Sequence, residues 1–223
     1  MSYAAILRGE QSVLEAIGPC FASPEARIRA LDEHWLLETS RFDNCSSVDE
    51  AFKIADQMVI EIQGLLSIYA GLNTSISVSS MLTLGANGEP VRQRLRDFVT
   101  IRVYSAAGLR ELSESSNVTS LGSMLVARAA DDPAVAEALM LIGERGLGWP
   151  QIYDIIEFLG GAKAIDSSGL GSRSQTARVR RTANHYRHLG RRDPDRLPTN
   201  PPTLAEARLF ATGLLKCWLG TRL

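Results

Sequence analysis

Residues 47–84 read SVDEAFKIADQMVIEIQGLLSIYAGLNTSISVSSMLTL, and the period of their apolar positions changes partway along. Phe52, Ala55, Met58, Val59, Ile62, Leu65, Leu66 and Tyr69 recur at helical intervals. Ser47 and Glu50 have capping-box spacing ahead of that run, and Gly71 is a natural stop behind it. From Ser75 to Leu84 the chain alternates and is rich in strand-favouring residues. Gly85-Ala86-Asn87-Gly88 is turn-forming, and Arg92 to Tyr104 alternates again, which predicts a β-hairpin. A capped helix followed by a hairpin specifies a small α/β module, placed here over residues 1–112. Upstream of it the pattern is less regular. Ser23-Pro24-Glu25 is expected to open a short helix, and His34 to Ser40 reads as a strand.

Downstream the signals become helical. The polar stretch Ser113 to Ser123 predicts a linker, taken as residues 113–126. Asp132-Pro133 caps and starts a helix that carries Ala136, Leu139, Met140 and Ile142 and ends at Gly146. Pro150 starts a second, with Ile152, Tyr153, Ile155, Ile156, Phe158 and Leu159, closed by Gly160-Gly161. A flexible Ser/Gly segment, Ser167 to Ser172, precedes a third from about Ser174 to His188, and a fourth begins at Thr203. The fold expected is therefore α+β: the N-terminal module, then an all-α bundle of four helices over residues 127–223.

The net charge of −1 conceals an asymmetry. Residues 1–166 carry 13 basic and 22 acidic side chains, and residues 167–223 carry 11 basic and 3 acidic ones. Such polarity points to a polyanion-binding end, or to two surfaces that attract each other. Reactive side chains gather in the same basic end, within Arg180-Arg181-Thr182-Ala183-Asn184-His185-Tyr186-Arg187-His188. At about 100° per residue, Val179, Ala183 and Tyr186 share one face, which the core should take. Arg181, His185 and His188 fall on roughly the opposite face, pointing away from the bundle. A guanidinium beside imidazoles that titrate near neutral pH can bind phosphate and move protons.

A four-helix bundle with an Arg and a His separated by four to six residues near the end of its third helix resembles the HEPN superfamily. Its members are commonly metal-independent ribonucleases of toxin, antiviral-defence and stress systems. Three pairs satisfy the spacing: Arg181 with His188, Arg180 with His185, and Arg178 with His185. Arg181 and His188 are preferred, because they share a face and Thr182 supplies the polar neighbour that the motif often has. In the commonest form of the motif an Asn directly follows the Arg. Alignment on Asn184 and His188 puts Ala183 at that Arg position, so the guanidinium comes from Arg181.

The resemblance implies an RNA-directed protein that cuts by attack of the RNA 2′-hydroxyl. His188 would act as general base or acid, Arg181 would stabilise charge on the phosphate, and Asn184 would orient a phosphate oxygen or the imidazole, with His185 alongside. Arg173, Arg178, Arg180, Arg187, Arg191, Arg192 and Arg196 would hold the RNA backbone. A homodimer is implied as well, and a protein partner or antitoxin. The alternative is a non-catalytic interaction module whose basic half docks an acidic partner or nucleic acid.

Composition sets the outer limits. Hydrophobic residues make up 45% and charged residues 22%, which excludes disordered and collagenous chains. No apolar run approaches the roughly 20 residues of a membrane span, so no membrane partner is expected. Cys20, Cys45 and Cys217 are scattered, which argues against a disulfide framework. No Cys/His/carboxylate cluster has metal spacing, and no cofactor is expected. A soluble cytoplasmic protein is the resulting expectation.

Overall fold

The computed structural model describes residues 2–85, 89–96, 116–143, 146–188 and 197–223, with residues 116–120 described by their backbone alone. The chain divides into two compact units, Met1–Met140 and Leu141–Leu223. It is mixed α+β, with an antiparallel sheet in the first unit and helices in both.

In the first unit, strand β1 (Ser2–Arg8) carries Ala4, Ala5, Ile6 and Leu7, all buried. A strand that is apolar on both sides belongs in the middle of a sheet. Ala5 lies opposite Leu37 of β4 (His34–Glu38) on one edge and opposite Met81 of β5 (Ser77–Leu84) on the other. The order across the described sheet is β2 (Ala22–Ser23), β3 (Ala26–Leu31), β4, β1, β5 and β6 (Pro90–Leu95), every pair antiparallel. The hairpin and the strand at His34 are thus present. The tip at residues 86–88 and the return strand beyond residue 96 lie outside the described residues. Ser23-Pro24-Glu25 opens no helix; it turns the chain from β2 into β3. The carbonyl of Pro24 accepts from the Ser40 N–H and that of Glu25 from the Thr39 hydroxyl, so this turn is fixed by partners distant in sequence.

Helix α1 (Gln11–Ile17) buries Val13, Leu14 and Ile17. Helix α2 (Val48–Ala70) begins where its caps require. Ser47 Oγ accepts the Glu50 N–H at 3.2 Å, and the Glu50 carboxylate accepts the Ser46 N–H at 2.8 Å. The bonds that the Glu50 carboxylate accepts from Ser46 hold it below its ordinary pKa. Gly71 ends the helix at φ +66°, a conformation that costs glycine nothing. Of the stripe expected from the sequence, Ala55, Met58, Val59, Ile62, Leu65 and Leu66 are buried, while Phe52 and Tyr69 at its two ends are half-buried, and α2 packs on β1 and β5. Each large aliphatic side chain so buried contributes about 1.5–3 kcal/mol.

One charged residue breaks that stripe. Glu61 is fully buried in α2, 3.2 Å from Arg41 and 3.0 Å from the Gln57 amide. Burial pushes its carboxyl up, against the opposing pull of Arg41. Arg41 also donates to the carbonyl of Val126 in α3 (Ser116–Asp131). That helix corrects the linker expected over residues 113–126. From residue 116 the stretch is helical, and its Ser123 hydroxyl bonds the Cys20 carbonyl at 3.2 Å. Residues 113–115 lie outside the described residues. Helix α4 (Pro133–Gly143) starts at the predicted Asp132-Pro133, where the Asp132 carboxylate caps the Ala134 N–H at 3.0 Å, and the division between the units falls inside it.

The second unit is helical. It contains α5 (Trp149–Phe158), α6 (Gly161–Ser167), α7 (Arg173–Arg187) and α8 (Leu204–Gly220). Ile152, Ile155, Ile156, Ile165, Val179, Ala183, Ala211, Leu214 and Leu215 form its apolar interior. Helix α6 replaces the simple Gly160-Gly161 stop that the sequence suggested. Both glycines have positive φ, +84° and +76°, so the chain turns there and resumes helically. Thr203 and Glu206 cap α8 reciprocally, at 3.2 and 2.7 Å. Among the described residues, no helix is long and apolar enough to cross a membrane, and no His/Cys/Asp/Glu group is placed to hold a metal ion.

Candidate nucleic-acid interface

Helix α7 positions every sequence-selected residue that the structure describes; Arg191, Arg192 and Arg196 lie outside the described residues. Its start is fixed twice. Ser172 Oγ accepts the Gln175 N–H at 3.3 Å, and Asp166 Oδ1 accepts the Arg173 N–H at 3.2 Å. Thr176, Val179, Thr182 and Ala183 are buried and set the rotation of the helix about its axis. The opposite arc then faces outward: Arg173, Arg178, Arg181 and His188 are exposed, and Asn184 is half-buried. Arg181 and His188 lie about 20° apart around the axis, two turns from each other. Arg181 has no hydrogen bond or ion pair with a described residue.

Two expectations for this helix need correction. His185, expected on the exposed stripe, is only 9% exposed, its ring edge-on to Tyr186 at 5.0 Å. The helical wheel gives a side chain's direction from the axis and says nothing about what lies over it. Thr182, expected as a polar neighbour for Arg181, is fully buried, and its hydroxyl donates to the Arg178 carbonyl at 3.0 Å. Val179 and Ala183 are buried as expected, whereas Tyr186 is half-buried and stacks on Trp149, with ring centroids 5.2 Å apart.

The three motif-spaced pairs therefore separate. Arg180 is engaged: its Nε donates to Glu157 and its Nη2 to the Tyr153 hydroxyl at 3.2 Å. The hydrogen bond to Glu157 raises the already high pKa of Arg180. With His185 buried, neither the Arg180 pair nor the Arg178 pair presents both members to solvent. Arg181 and His188 do.

His188 caps the C-terminus of α7, where its Nε2 accepts the Arg187 Nε–H at 3.2 Å. Arg187 lies over the Tyr153 ring, 3.6 Å from its centroid. Tyr153 and Glu157 are the residues that sequence reasoning did not connect to the arginines. Glu157 stands 23 positions before Arg180, and no spacing rule relates them.

Comparison with known protein families, curated proteins and solved structures finds no match. The geometry of α7 is thus what a functional reading rests on.

Proposed function

We propose that the chain is an RNA-directed protein whose C-terminal helical unit is HEPN-like, with Arg181 and His188 as its reactive pair. The observation that carries this reading is that, of the three motif-spaced pairs, only this one has both members exposed. Arg173 and Arg178 extend the face into a basic strip suited to a phosphodiester backbone. In the cleavage reaction the RNA 2′-oxygen bonds to phosphorus as the bond from phosphorus to the 5′-oxygen breaks. His188 takes the 2′-proton or returns one to the leaving oxygen, Arg181 neutralises the charge gathering on the phosphate, and Asn184 orients an oxygen. A strip that faces away from its own core becomes a cleft when a second copy closes over it, so the active form is a homodimer. An antitoxin or other acidic protein partner would act by covering the same face.

Incubating the purified protein with total RNA and with tRNA, with and without EDTA, tests this beside His188→Ala. The expected result is EDTA-resistant cleavage that His188→Ala abolishes without lowering Tm. Absence of cleavage in wild type, with equal RNA binding by both proteins, overturns the catalytic reading.

One observation favours a second reading, a non-catalytic interaction module. Thr182 and His185 are turned inward, which leaves the pair without its polar neighbours. In that case His188→Ala changes nothing, while charge reversal at Arg178 and Arg181 weakens binding.

A further inference from the structure

Arg180 and Arg187 converge on a single ring. The Arg180 guanidinium lies 5.3 Å and that of Arg187 3.6 Å from the Tyr153 centroid, and Arg180 also bonds the phenol oxygen at 3.2 Å. The one carboxylate that meets this pair among the described residues is Glu157, on Arg180. Both partners of that ion pair are wet, with side chains 41% and 42% exposed. An ion pair in this setting is weak, and a phosphate diester offers a guanidinium the same two-oxygen geometry as a carboxylate.

We infer that Glu157 is an internal competitor for phosphate at Arg180: a phosphate oxyanion of a bound polynucleotide takes the Arg180 fork, and the Glu157 carboxylate swings into solvent. Tyr153 keeps both guanidiniums in place after the exchange. This rests on the RNA reading above and adds to it a second phosphate subsite on the flank of α7 turned toward α5, about 100° around the helix from Arg181 and His188. Each exchange replaces an internal anion by an external one, so Glu157 sets a threshold that a weakly held anion does not pass.

The test is fluorescence anisotropy of a labelled single-stranded RNA over a range of salt, comparing wild type with Glu157→Gln. Removing the competitor is expected to tighten binding about two- to fivefold. It should also steepen the salt slope, by at most about 0.7, because the carboxylate freed in wild type offsets part of the counterion release from that phosphate. Arg180→Gln should erase both gains when combined with Glu157→Gln. Unchanged or weaker affinity in Glu157→Gln, with unchanged Tm, overturns the inference. If neither protein binds RNA at low salt, the RNA reading has failed and the subsite is decided separately by inorganic phosphate. Titration into 15N-labelled protein should then shift the Arg180 Nε resonance more in Glu157→Gln than in wild type, and no shift in either overturns it.

Discussion

A methyl group at position 64 has nowhere to go: a Cβ on Gly64 of α2 would stand 2.1 Å from the Leu139 carbonyl oxygen of α4. The obstacle is backbone, which no rotamer change relieves. Gly64→Ala is expected to lower the unfolding free energy by about 2–3 kcal/mol, the scale of overpacking, despite the better helix propensity of alanine. Urea titration checks this, and a neutral or stabilising result would mean that α2 and α4 do not approach as described. Nothing local marks Gly64, since the glycine interrupts a strong helical pattern without ending it. His185 depends on its surroundings in the same way. The wheel sets it about 40° from Arg181, yet it is buried where Arg181 is exposed. Residue identity and spacing suffice to place Arg181 and His188 as an exposed pair, because no element among the described residues buries either of them.

At the scale of elements, the Arg41–Glu61 pair joins the segment before α2 to α2 itself, and through the Val126 carbonyl to α3. Arg41→Met leaves a buried carboxylate without its cation, which is expected to cost about 3–5 kcal/mol at neutral pH. The sign of the pH dependence follows from the raised carboxyl of Glu61. The folded state holds that proton more tightly than the unfolded chain does, so this group favours folding in acid, and its contribution falls as pH rises through the folded pKa. Losing Arg41 raises the carboxyl further. The deficit should therefore shrink as pH is lowered toward the ordinary glutamate range, and unfolding curves at several pH values will show it. A deficit independent of pH would place the damage at the Val126 contact instead. Helix α2, the hairpin strands and the start of α4 were legible because caps and periodicity are local. Helix α3 was not, since its Ser- and Gly-containing first turns resemble a linker until Arg41 and Cys20 supply partners. Strand β6 is the edge of the sheet among the described residues, and its pairing with β5 is irregular. Thr83 faces Arg92 and Leu84 faces Pro90, leaving Val91 as an extra residue, and such a bulge disfavours further pairing.

For the whole molecule, charge separates with the units. Residues 1–140 carry 11 basic and 18 acidic side chains, and residues 141–223 carry 13 and 7. Under the RNA-directed function proposed above, contacts should map to the second unit, and ultraviolet crosslinking followed by peptide mass spectrometry should find RNA-modified peptides from residues 141–223 and none from residues 1–140. Crosslinks confined to the first unit would remove the basic strip from consideration. The sequence alone determined the α+β class, the helical C-terminal half, the starts of α2 and α8, and the charge polarity, since each depends on neighbours within a few turns of chain or on composition. Tertiary structure decided the rest. It made β1 a central strand, turned Pro24 into a corner, buried His185 and Thr182, and tied Arg180 to Glu157. These outcomes depend on which distant segment lies against a residue, and that contact has no signature in the spacing of the chain.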